Sequence, residues 1–371
     1  MSILSPQQRH ALHNLLVALI HQEKATVLIP PYASEPGFWF GGGNMVQGEH
    51  GTLWLCGRYR NYGDSRTGLG AGQRGLECAL FRSDDGGESF IKARSWSKAD
   101  LSFDNRHVLS IEGTALHRQE NGSWELFVSS EKDLSYPDDI HHYQKPGTGV
   151  WTVDRLTGAS VDTLDTATIE PVLENDEYPA YLHIKDPVVF DQADGTTALI
   201  FCSHPYSWTS TNSGLATRVP GGQQFAVANW EIVSRGATWD VAATRITGQM
   251  RIPKVGLFAG QPDATLYFYD GAECLRPLEE NQAGYKRPRG YSCEEIGGVL
   301  FGWDNDFPHM ERLSMLEPLF ISPNGTGASR YTDVLVTNEM LFATWEQSQA
   351  DGSQPLVGHT LSKDEVQGLL E

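Results

Sequence analysis

The chain has 371 residues, 40% of them hydrophobic and 20% charged, so it can build a sizeable core without metal or disulfide staples. Lys and Arg number 28 against 47 Asp and Glu, a formal charge of −19 that argues against nucleic acid or an anionic membrane as main partner. No apolar run reaches the ~20 residues needed to span a bilayer. The opening segment predicts a capped helix, with Ser5 as N-cap, Pro6 at the first helical position, and Leu12, Leu15, Leu16, Leu19 and Ile20 on one face. It lacks the basic start and clean apolar centre of a secretory signal. Cys56, Cys78, Cys202, Cys274 and Cys293 form no CxxC pair. A reducing, cytoplasmic setting is therefore expected, unless a leader has been removed from a secreted or periplasmic protein.

Past the helix an internal period emerges. Apolar strands flank Gly51, Gly122, Gly195, Gly271 and Asn338, spaced 67 to 76 residues apart, and most of these turns are acidic- or Asn-Gly pairs. RSDDGGESF, VDRLTGASV and SRGATWDV follow the first three hairpins as turns into an outermost strand. Each repeat then reads as four antiparallel strands, a propeller blade. The expected architecture is all-β: a five-bladed β-propeller over 31–361, preceded by a helical extension at 1–30 and followed by a helix at 362–371. Ser362 and Glu365 form a capping box for that last helix.

Long irregular connections (58–77, 130–149, 203–222 and 276–295) fall between the second and third strands of four blades. They crowd one face, the expected site of a deep pocket. The inner strands should open with Asn44, Glu112, Asp186, Asp263 and Asp333. Carboxylates converging there would repel and raise at least one pKa, and glycoside cleavage needs two such groups. Pairing with Arg58, Arg60, Arg251 or Arg330 is the structural alternative.

HIKDPVVF, with Asp186-Pro187 opening an inner strand, resembles the Asp-Pro strand of five-bladed propeller glycosidases, among them invertases, arabinanases, xylosidases and neoagarobiose hydrolases. The resemblance implies that Asp186 stabilises the transition state or tunes the acid. The family's first-strand Asp is Asn44 here, which makes Glu112 or Asp333 the replacement base or nucleophile. Glu294, Glu295 or Glu231 could supply the acid, with the 294–295 pair preferred. RSDDGGESF is similar to the sialidase Asp-box through Ser83, Asp85, Gly87 and Phe90.

Arg58, Arg330, His183, His204, Tyr206 and Tyr331 complete the expected sugar-contacting set. The reading is a hydrolase acting on the end of an oligosaccharide. Two alternatives stand beside it: a lyase using His183, His204 or Tyr331 with an arginine on a uronate, and a non-catalytic sugar-binding propeller. No metal ligand set or cofactor motif is seen, a cation in the channel is left open, and the oligomeric state is not read.

Overall fold

The computed structural model describes residues 4–60, 74–144, 147–205, 210–273 and 295–371. Helix α1 (Pro6–Leu19) starts at the Ser5 cap, whose side chain accepts from the Gln8 amide while Gln8 reaches back. Strand β1 (Thr26–Ile29) follows. Blade one holds β2 (Trp39–Gly41), β3 (Met45–Gln47), β4 (Leu53–Arg60), β5 (Glu77–Ser83) and β6 (Ile91–Ser97). Blade two holds β7 (Val108–Arg118), β8 (Trp124–Lys132), β9 (Val150–Gly158) and β10 (Asp165–Leu173). Blade three holds β11 (Leu182–Asp191), β12 (Thr197–His204), β13 (Asn212–Arg218) and β14 (Ala226–Val233). Blade four holds β15 (Ala243–Arg251), β16 (Ala264–Ala272), β17 (Ile296–Trp303) and β18 (Glu311–Arg312). Blade five holds β19 (Ser329–Val336), β20 (Met340–Gln347) and β21 (Leu356–Ser362), with β1 as its fourth strand. Helix α2 (Lys363–Leu370) ends the chain on its Ser362–Glu365 capping box.

The five-bladed propeller of antiparallel sheets with terminal helices is thus as expected. The N-terminal region contributes more than a helix. Pairing of β1 with β21 closes the ring with a strand from the opposite end of the chain, inside the segment expected to be an extension. Blade four also differs from expectation. Asp270-Gly271 is no turn but lies within β16, and the β15–β16 connection is the longer 252–263. SRGATWDV follows β14 and leads into blade four, whereas the β13–β14 turn is 219–225. RSDDGGESF does turn β5 into β6. There the Ser83 hydroxyl donates to Asp85 at 2.7 Å and accepts the Gly87 amide at 2.9 Å.

The core is divided among the blade interfaces. On β12, Leu199 and Phe201 pack toward blade two, while Ile200 packs toward blade four. On β16, Tyr267 and Tyr269 face blade three, while Leu266 and Phe268 face blade five. A strand buried on both faces needs a continuous apolar run, and strand periodicity sends alternate residues to opposite interfaces. Helix α1 buries Leu12, Leu15, Leu16 and Leu19 in the cluster shared by blades four and five and α2. Each such Leu contributes roughly 1.5–3 kcal/mol.

Candidate functional site

Each inner strand is interrupted at the same level. Register shifts fall between Ile111 and Thr114, Lys185 and Val188, Ile246 and Gly248, and Arg330 and Asp333. In blade one the interruption splits the inner strand into β2 and β3, both paired with β4. A bulge leaves one residue unpaired and re-aims its side chain. Asp186 (φ 53°) and Tyr331 (φ 52°) occupy the left-handed region at these bulges, as does Gly42 (φ 67°) in blade one. For a non-glycine residue that conformation costs of the order of 1 kcal/mol or more, and it persists only where surrounding contacts hold it.

The freed polar groups clasp neighbouring blades. Asn44 of blade one donates to Leu116 O at 2.9 Å and accepts Leu116 N–H at 2.7 Å. Asp186 Oδ1 accepts the Gly113 amide of blade two at 3.1 Å, and its own amide donates to Ser129 Oγ at 3.1 Å. Ser213 of blade three accepts Ile246 N–H at 2.9 Å. Asp270 of blade four accepts the Tyr331 amide at 3.1 Å, and Asp333 of blade five accepts the Met45 amide at 2.9 Å. All five blade junctions are covered.

A network of ion pairs lies on the side where inner strands begin and second strands end, the face of the long connections. Arg58 (β4) donates to Glu346 (β20) at 2.8 Å, and Glu346 accepts from Arg330 (β19) at 2.8 Å. Arg330 pairs with Glu295 at 2.5 Å, and Glu295 with Arg245 (β15) at 2.9 Å. Arg245 also reaches Asp270 at 2.7 Å and Asp186 at 3.2 Å. Tyr331 sits among these cations. The guanidiniums of Arg245, Arg58 and Arg330 lie 4.3, 5.0 and 5.5 Å from its ring centroid, and its hydroxyl donates to Asp186 Oδ2 at 3.4 Å. Glu112 (β7) pairs separately with Arg60 (β4) at 3.2 Å and accepts from Ser110 at 2.9 Å.

These surroundings set the ionisation states. Burial opposes charge on Glu112, but Arg60, Lys185 and Arg58 outweigh it and hold the pKa at about 2. The same contest leaves Asp186 below the usual range, through Lys185, Arg245 and Arg58. Glu295, with a side chain 20% exposed, is likewise driven low by Arg245 and Arg330 despite burial. Burial pushes Asp270 up to about 7 against the pull of Arg245. One guanidinium thus serves a carboxylate that stays ionised and another that holds a proton near neutrality, the separation that acid–base chemistry uses. Burial also pushes Asp333 to about 7.

Glu112, Asp186, Glu295, Arg58, Arg330 and Tyr331 therefore share the long-loop face. Asn44 and Asp333 serve as clasps; the partner of Asp333 is a backbone amide rather than an arginine. Asp263 corrects an expectation. It does not open an inner strand but lies on the β15–β16 connection, where it pairs with Lys254 at 2.8 Å, both well exposed. His183 is fully buried, with Nδ1 3.3 Å from the Tyr136 hydroxyl and its ring edge-on to Trp151. Burial, with Lys185, lowers its pKa to about 3. His204 meets Thr211 at 3.2 Å and is also held neutral by burial. Glu231 sits exposed on the outermost strand β14. Glu294, Tyr206, Cys274 and Cys293 lie outside the described residues, as do 61–73 and 274–294 of the long connections.

Sequence reading missed Arg245, Asp270 and Glu346. The usable signal was their register. Arg245 stands opposite Asp270 and Arg330 opposite Glu346, so blades four and five each place an inner-strand arginine across from an acid ending the second strand's apolar run. A cavity of about 840 Å³ occupies the other half of the channel and opens at the hairpin face, with Asp186, Tyr331, Asp333, Phe190 and Asp263 among its lining. The pocket was expected on the opposite face. No group of His, Cys, Asp and Glu among the described residues could hold a metal ion.

The fold is the one found in five-bladed β-propeller glycoside hydrolases. A GH43_1 enzyme from Xanthomonas citri, complexed with xylotriose, aligns at TM-score 0.55 and 10% identity over 96% of this chain and 94% of that one. A native arabinanase from Bacillus subtilis aligns at TM-score 0.54 and 13% identity over 91% and 96%. A complex of BT0996 with RGII reaches TM-score 0.62 at 10% identity over 96% of both proteins. No protein-family model and no curated protein sequence matches the chain.

Proposed function

We propose that the protein is a glycoside hydrolase acting on the end of an oligosaccharide from the long-loop face. The observation that carries this reading is the convergence of Glu112, Asp186, Asp270 and Glu295 around Tyr331 at the bulged level of the inner strands. Likeness of fold alone would not carry it. Hydrolysis adds water across the glycosidic C–O bond: the leaving oxygen takes a proton and the anomeric carbon passes through a cationic state. The ionised Asp186, Glu112 and Glu295 suit the stabilisation of that cation. Asp270, with its raised pKa, is the candidate for holding the proton. Neutral, buried His183 and His204 fit the lyase alternative less well, since a base at the surface of the site is what elimination requires.

The test is a panel of aryl glycosides and oligosaccharides, read for reducing ends and near-ultraviolet absorbance, on the wild type and Asp186→Asn. Reducing ends without absorbance, reduced at least a hundredfold in a folded variant, are expected. Absorbance appearing with the reducing ends would replace the hydrolase by a lyase. Turnover that survives Asp186→Asn would remove Asp186 from the chemistry.

A further inference from the structure

One arginine at the loop end of the channel is only partly engaged. Arg60 ends β4 with 2% of its surface exposed, and its Nη1 donates to Glu112. Its Nε and Nη2 meet no acceptor among the described residues. Those two N–H groups form one edge of the guanidinium and point the same way, at the spacing of two oxygens of a carboxylate or other oxoacid. A buried donor pair without an acceptor is destabilising, so the unliganded protein maintains the edge against a free-energy cost. Arg330 Nη2 and Arg58 Nε also lack acceptors among the described residues.

Trp39 holds the group in place. The guanidiniums of Arg60 and Arg330 lie 5.0 and 4.4 Å from its ring centroid. The charge around Arg60 is uneven. Burial, Arg58, Arg74 and Arg330 all disfavour its cation, and Glu112 is the anion that supports it. Arg245 contrasts with it, bridging three carboxylates. The ion-pair chain through blades one, five, four and three is complete without Arg60.

We infer that the Nε–Nη2 edge of Arg60, with Arg330 beside the same indole, binds an oxyanion carried by the substrate, so that the glycan recognised is an acidic one bearing a carboxylate or sulfate group. That the ligand is a substrate rests on the glycosidase reading, but the anion site does not, and equilibrium binding separates the two.

The full chain is titrated at constant ionic strength with glucuronate, galacturonate, glucose 6-sulfate, glucose, galactose and inorganic phosphate, by calorimetry and thermal shift. Acidic sugars are expected to bind at least tenfold tighter than their neutral counterparts. The better of the uronate and sulfate arms identifies the group. Arg60→Lys keeps the charge beside Glu112 but removes the fork, and should lose at least tenfold for the acidic sugars with no change for the neutral ones. Equal binding of acidic and neutral sugars, or no binding of either, overturns the inference. Inorganic phosphate binding as tightly as the sugar acids also overturns it, leaving a site for a free anion. If Arg60→Lys does not fold, the wild-type ratio of acidic to neutral affinity decides. Absence of bond cleavage with the acid preference intact would refute the glycosidase reading alone.

Discussion

Asp333→Asn separates a structural role from a catalytic one. Asp333 is 8% exposed, and its Oδ2 accepts the Met45 amide at 2.9 Å across the junction of blades five and one. Burial pushes its pKa to about 7, opposed only by the amides of Met45 and Val334. In the unfolded chain an Asp titrates near ~3.9. Between pH ~4 and ~7 the native state therefore keeps a proton that the unfolded chain has released. The stability tied to that proton is full below the unfolded pKa and is lost as pH rises through the native one. A shift of about 3 pH units at ~1.4 kcal/mol each sets a ceiling near ~4 kcal/mol on the cost of ionisation at pH 8. Asparagine copies the protonated carboxyl, keeps an acceptor for Met45 and cannot ionise. Urea unfolding should place variant and wild type within ~1 kcal/mol at pH 4, with the variant more stable by about 2–4 kcal/mol at pH 8. Turnover should survive. A variant equally destabilised at both pH values would refute the reasoning, because it would mean the native protein uses the ionised carboxylate.

Three further outcomes follow from single contacts. Arg245→Met strands Asp186, Asp270 and Glu295 without their common cation, and urea melts should register a loss of about 3–5 kcal/mol, larger at pH 8 than at pH 5. Gly271→Ala would place a Cβ 2.3 Å from Trp239 Cζ3 inside β16, so the same measurement should show a loss of about 1–3 kcal/mol. Ser5→Ala removes the acceptor for the Gln8 amide, and α1 should loosen by about 1 kcal/mol, visible as earlier proteolysis or exchange of the N-terminal segment.

Most of the fold was legible because its signals are local. The turns at Gly51, Gly122 and Gly195 carry φ between 82° and 88°, a backbone that glycine adopts freely, and they sit in the three blades whose hairpins were placed correctly. Blade four was misplaced for a physical reason. Asp-Gly is the strongest short turn signal, yet Gly271 is needed for another purpose: a side chain there would strike Trp239 and Asp240. That error exchanged Asp263 for Asp270 in the list of converging carboxylates. Arg245 and Glu346 were hidden for a different reason. An arginine and an acid far apart in sequence become cross-strand neighbours only when the hairpin register is known, and the 252–263 connection carried no short-turn signature. The closure by β1 was equally unreadable, since four residues with mixed exposure give no strand period.

The interrupted inner strands explain why clasps and network occur together. Five strands converging on one axis cannot all keep their ladders and also direct polar groups inward. The bulge releases the ladder at one level, and the exposed amides then need acceptors. Asn44, Asp186, Ser213, Asp270 and Asp333 meet part of that need, one per junction. Only Asp186 and Asp270 of the five also touch the arginines, through Arg245. Neutralising Asn44 or Asp333 should therefore change how the blades hold together, while neutralising Asp186 or Asp270 should change the field at Tyr331 as well. A comparison of Asp186→Asn and Asp333→Asn, scored for both stability and turnover, tests that division: turnover falling in the first and surviving in the second is expected. Equal loss of turnover in both would mean that the bulged level acts as one catalytic unit.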